Sequence, residues 1–335
     1  MLRKLVARFR PPLARLKPYV SVCNDAMSQD ELENNVNVPM RAFTESGGIS
    51  DLDAYVALMG FLAERHDRFA VVPAERFLDH CDSDRVTVFL RHDVDVDLTG
   101  AVKMSRVEGG FGFRSSYFIL HSECAYYGRL LPDGVFERYG AADGHIRALA
   151  ANGQDVGLHI DPLGLIGRAG VDGIQGMLHE LRRIRSLGVD VDSVCSHNSN
   201  TVYNAMNQDV FAGRNMGWQD HVLVRGERVP LGRVDAAEHG IAHFCDFLLT
   251  TATRPADPTV SAYGFTIDRH PTFRIQYDIS FSIVMGRRWE LAGSRRFLNN
   301  ASSIDYDDLF PALLQVPRGS KIVLNIHPMY YGHRY

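Results

Sequence analysis

The chain has 335 residues, 45% hydrophobic and 23% charged, which is enough for one large α/β domain with a full core. Its 36 basic and 40 acidic side chains leave a formal net charge of −4, so no general attraction to nucleic acid follows. Five scattered cysteines (Cys23, Cys81, Cys124, Cys195, Cys245) form no CxxC pair, and their odd number favours reduced thiols in a cytoplasmic protein over a disulfide framework.

In chain order, residues 1–50 lack a sustained period and read as an arm or irregular lead-in. Met1 to Lys17 is basic, but Pro11, Pro12 and repeated arginines interrupt it before any apolar core reaches signal-peptide length. Such an arm can make a peripheral contact with anionic lipid headgroups. No stretch has the apolar length of a membrane span. Organised structure, and with it one domain over 51–335, starts at Ser50-Asp51, ahead of Tyr55, Leu58, Met59 and Leu62 at helical spacing.

Helices and strands then alternate. Strands are expected at Phe69–Val72, Val86–Leu90, Ser115–Leu120, Asp155–His159, Ser193–His197, His243–Leu249, Phe273–Ile279 and Lys321–Ile326. Helices are expected at Ala101–Gly109, Gly144–Ala151 and Ile174–Leu187, the last with an apolar stripe of Ile174, Leu178, Leu181 and Ile184 and a stop at Gly188. This alternation predicts a mostly parallel sheet, open or closed as a barrel.

The chemistry concentrates at strand ends. Val86–Leu90 runs into Arg91-His92-Asp93-Val94-Asp95, where period two puts Arg91, Asp93 and Asp95 on one face and His92 on the other. Two carboxylates so close are costly to bury without a cation or a shared proton. Three further strands end in histidine: His159, with Asp161 on its face, then His197 and His327. In a parallel sheet all of these converge on the carboxyl rim, where ligands bind. Imidazole and carboxylate together suit zinc or another divalent first-row metal. With a second carboxylate to take a proton from water and a histidine to give one to a leaving group, the inventory describes amide or ester hydrolysis.

These residues resemble the polysaccharide deacetylases with a NodB-homology domain, carbohydrate esterase family four, in the branch whose first motif reads RHDVD. The resemblance spans roughly residues 55–335. It rests on Leu90–Asp95, the Phe113–Phe118 strand, Gly153-Gln154-Asp155-Val156-Gly157-Leu158-His159, the Ser196-His197-Asn198 turn and Leu324-Asn325-Ile326-His327-Pro328. It implies a distorted (β/α) barrel of about seven parallel strands, of the glycoside hydrolase/deacetylase type. It also implies a metal-dependent deacetylase of N- or O-acetylated sugars in surface polysaccharide metabolism, with zinc first among the candidate metals. Carried over by position, Asp93 matches the general base, Asp95 a metal ligand, His159 the first histidine ligand and His327 the general acid.

The chain departs from the family where a second histidine ligand usually stands, since Leu163 is four residues after His159. The third ligand is then His197, with Asp161 as rival, and the division of roles between Asp93 and Asp95 stays open. Asp278 and Trp289 stand where this branch carries an acidic-plus-tryptophan motif: Asp278 can orient a catalytic group and Trp289 can stack on a sugar, or each can be structural. Arg91 can pair with Asp93. Two other functions remain: a degenerate member that binds saccharide without turnover, and a hydrolase of a non-sugar C–N bond.

Overall fold

The computed structural model describes residues 52–330 except for several stretches, the longest being 198–206, 214–220, 250–260, 267–273 and 294–302. The expected arm at 1–50, with its lipid contact, lies outside the described residues.

Nine strands carry the argument: β1 (Phe69–Val72), β2 (Val86–Val94), β3 (Ser116–Leu120), β4 (Asp155–Ile160), β5 (Ser193–Ser196), β6 (His243–Phe244), β7 (Ile279–Val284), β8 (Arg288–Gly293) and β9 (Lys321–Ile326). The sheet runs β6-β5-β4-β3-β2-β9-β7-β8, with seven parallel strands from β6 to β7 and β8 antiparallel to β7, and the short strands Ser261–Ala262 and Phe265–Thr266 continue it beyond β8. β1 pairs with Val86–Phe89 of β2, and β3 pairs with Arg91–Val94. The long strand β2 thus serves two neighbours in succession.

The sheet is curled into a distorted half-barrel. In a flat sheet, β2 and β6, four spacings of about 4.8 Å apart, would lie some 19 Å from each other. Yet the Arg91 guanidinium donates through Nη1 to the carbonyl of Cys245, one residue past β6, at 3.3 Å. Only curvature brings those strand ends within reach of one side chain.

Alternation sorts the residues between the two faces. Val86, Val88, Leu90, Ile279, Phe281, Ile322 and Leu324 face outward, into a core shared with helices α1 (Leu52–Glu64) and α6 (Leu309–Gln315), while the short α2 (Ala74–Asp79) stands between β1 and β2 in the chain. Val156, Leu158, Ile160 and Val194 pack outward with α3 (Leu98–Gly110), α4 (Gly140–Ala151) and α5 (Gly173–Ser186). The inner face carries Phe89, Arg91, Asp93, Phe118 and His159. Gly157 is required there, because a Cβ would sit 2.5 Å from the Phe118 ring.

Two expected strands are redrawn. His243–Leu249 divides: β6 ends at Phe244, and Leu248–Leu249 joins Arg274–Ile275 in a separate antiparallel ribbon. The strand expected to end at Ile279 instead begins there. Asp278 fixes that start, its amide donating to the Lys321 carbonyl and its carboxylate accepting from the Lys321 amide, both at 2.8 Å. β8 was not anticipated.

Candidate metal centre

The carboxyl rim gathers residues from four strand ends. Asp93 lies within β2 and Asp95 one residue beyond it; His159 is the penultimate residue of β4, and His197 and His327 directly follow β5 and β9. The chain turns down into α3 immediately after Asp95, because Asp97 caps that helix by accepting from the Gly100 amide at 2.7 Å.

Arg91 and Asp93 form a buried two-pronged pair, Nε to Oδ1 at 2.7 Å and Nη2 to Oδ2 at 2.6 Å. Burial pushes the Asp93 carboxyl up, but the charges of Arg91, His159 and His327 and the Arg91 hydrogen bond outweigh it. Asp93 is held well below the usual carboxylate range and stays ionised.

Asp95 is placed differently. Its Oδ1 is buried and accepts no hydrogen bond among the described residues. That oxygen lies 3.5 Å from His159 Nε2, while Oδ2 lies 3.6 Å from His327 Nε2. The other ring nitrogen of His159, Nδ1, is 2.9 Å from the Cys195 carbonyl, so an Nδ1–H tautomer leaves Nε2 with a free lone pair. Burial holds His159 below the ordinary histidine value against the pull of Asp93 and Asp95, which favours the neutral, ligating form. The His159 and His197 rings meet edge to face, centroids 5.2 Å apart.

Two groups here could hold a metal ion: Asp95 with His159 and His197, and Asp93 with His159 and Cys195, each with ligand atoms within 4.8 Å of one another. Chemistry separates them. Both Asp93 oxygens are engaged by a guanidinium that would repel a cation, and burial holds the Cys195 thiol well above its ordinary value and protonated. The Asp95 group has an oxygen without a hydrogen-bond partner among the described residues and, in His159, an imidazole whose neutral form burial favours. Tetrahedral bonds of 2.0–2.2 Å set ligand atoms about 3.4 Å apart, close to the Asp95–His159 separation.

Asp161 is buried and its oxygens are spoken for. Oδ1 accepts from the Gly164 amide and Asn207 Nδ2, and Oδ2 from Ser122 Oγ. Asp278 lies at the amino end of β7, on the opposite rim from Asp93 and Asp95. Trp289 is 0% exposed within the outer core, its ring stacked near Tyr306. His92 faces away from the rim, as alternation requires. It stacks on Tyr117 and sets Nε2 2.6 Å from the buried Glu108, which also accepts from Tyr55, Ser115 and Tyr117.

Sequence reasoning missed buried acids, Glu108 and Asp246 among them. Asp246, just past β6, accepts from the Ser196 amide at 2.7 Å. Burial pushes its carboxyl up to about 6, against the opposing hydrogen bond from Ser196 and the charge of Arg91. For Asp246 the only available signal was an aspartate inside an apolar strand pattern. Compared with protein-family models, curated proteins and solved structures, the chain matches none.

Proposed function

We propose that the protein is a divalent-metal hydrolase that removes an acetyl group from an N- or O-acetylated sugar. The observation that carries this reading is Asp95: a buried oxygen with no hydrogen-bond partner among the described residues, 3.5 Å from His159, and a second oxygen 3.6 Å from His327. Asp95, His159 and His197 are the ligands in this reading, with zinc the preferred ion for a carboxylate–imidazole set.

A cation at this position would polarise the acetyl carbonyl and lower the pKa of a water towards about 7. Asp93, kept ionised by Arg91, accepts the proton of the attacking water. Arg91 also holds that carboxylate in one orientation, leaving it no freedom to compete with Asp95 for the ion. His327, on the other side of Asp95, gives a proton to the departing amine or alcohol. No helix among the described residues is long and apolar enough to cross a membrane, and a cytoplasmic substrate during surface polysaccharide assembly is part of the proposal.

The test pairs metal analysis of the purified protein with acetate release from a panel of N- and O-acetylated sugars. One equivalent of metal with acetate release supports the hydrolase. A metal-free protein that binds saccharide points to a non-catalytic member of the fold. Full metal occupancy with no acetate from any sugar points to another C–N bond.

A further inference from the structure

We propose that Asp161 is the positioning residue of the metal centre: it fixes the orientation and tautomer of His197 and does not itself bind the ion. The proposal rests on the reading of Asp95, His159 and His197 as ligands.

Asp161 is 1% exposed and sits where β4 ends. Of about four acceptor positions on a carboxylate, three are taken by the Gly164 amide (3.1 Å), Asn207 Nδ2 (3.2 Å) and Ser122 Oγ (2.8 Å). Oδ2 also lies 3.6 Å from His197 Nδ1. A carboxylate with this many donors already in place makes a poor ligand and a good anchor.

His197 is held from its backbone by the same construction. Its amide donates to the Ile160 carbonyl at 2.9 Å, and its carbonyl accepts from Asn207 Nδ2 at 2.8 Å. One amide nitrogen of a fully buried asparagine thus bridges His197 to Asp161. Asn207 Oδ1 accepts from the Leu163 amide at 3.0 Å, which fixes the asparagine itself. The ring is partly open to solvent, 30% exposed in its side chain.

The two histidines then follow one rule. His159 has Nδ1 against the Cys195 carbonyl and Nε2 towards Asp95. His197 has Nδ1 towards Asp161, so an Nδ1–H proton donated there leaves Nε2 as the ligand atom. The 3.6 Å separation is longer than a hydrogen bond, and the proposal requires it to close to one with His197 as a ligand. Position 163, where a leucine stands, then needs no ligand, because His197 with its own carboxylate replaces it.

The test measures zinc affinity by chelator competition, alongside thermal stability of the metal-free protein. Asp161→Asn keeps an oxygen for the Gly164 amide while removing the charge. It is expected to weaken zinc binding about 10–100-fold with little change in metal-free stability. In a His197→Ala background the same substitution should change affinity by no more than about twofold. Ser122→Ala, which loosens Asp161 without touching its helix cap, should weaken binding in the same direction and serves if Asp161→Asn does not fold. Wild-type affinity in both variants, or an equal loss with and without His197, would overturn the proposal while leaving the hydrolase reading intact. A wild-type protein that binds no zinc would overturn both.

Discussion

Arg91 closes on both oxygens of Asp93 from two residues away on the same strand, at 2.7 and 2.6 Å, inside the curl of the sheet. Both groups are largely withdrawn from water, Arg91 9% and Asp93 3% exposed. Removing one therefore strands the other, whereas removing both does not. Arg91→Ala should cost about 3–5 kcal/mol of stability and abolish acetate release. Arg91→Met with Asp93→Leu should recover most of that stability without recovering activity. Urea denaturation of the metal-free proteins checks this, and a double variant no more stable than Arg91→Ala would contradict it.

Metal binding should be visible as stability. A cation at 100 times its dissociation constant adds about 2.7 kcal/mol to the folded state. Chelator should lower the melting temperature of the native protein, and added zinc should restore it. Asp95→Ala and His159→Ala should melt at one temperature with or without zinc. A zinc-dependent shift surviving in both variants would move the ion elsewhere.

Asp246 makes a pH prediction with a definite sign. Its carboxyl rises from the ordinary 3.8 to about 6 on folding, chiefly through burial. The folded state thus holds that proton more tightly, and the resulting stability is present below about 4 and lost as pH rises through about 6. Asp246→Asn keeps an acceptor for the Ser196 amide and carries no charge. In the metal-free state it should gain on the native protein between pH 4 and 6 and stay ahead above, by about 1–3 kcal/mol. A stability difference that is flat across that range would show the acid to be otherwise compensated.

Trp289 is a core residue and not a sugar platform. It is fully buried with Leu291 and Ile304 around it, and its ring lies 6.0 Å from that of Tyr306. Trp289→Ala should cost about 3–5 kcal/mol, while Trp289→Phe, at a temperature where it is folded, should leave KM for the sugar unchanged. A raised KM in Trp289→Phe would return the residue to the binding site.

Much of the rim was legible because strand alternation is a local property. Period two alone puts Arg91 and Asp93 on one face and His92 on the other, and the structure shows His92 turned to Glu108 and Tyr117. Asp278 illustrates the limit. A run of apolar residues beside an aspartate does not say which end of the strand the aspartate occupies. The strand proves to start at Ile279, so Asp278 lies on the far rim. Asp246 was hidden for a related reason: the expected strand runs through it, whereas β6 stops at Phe244 and frees its side chain to turn to Ser196.

Alternating apolar patterns, glycine stops and polar strand ends were enough to determine an α/β sheet with acids and histidines along one edge. Each depends only on neighbours within a few positions of the chain. The tertiary structure decided which of those groups meet. The curl that brings Arg91 to Cys245, the choice of Asp95 over Asp93 as the unsatisfied carboxylate, and the cage of Ser122, Gly164 and Asn207 around Asp161 all join segments up to 154 residues apart. Such meetings depend on the summed packing of seven strands and their helices, and no local pattern encodes that sum.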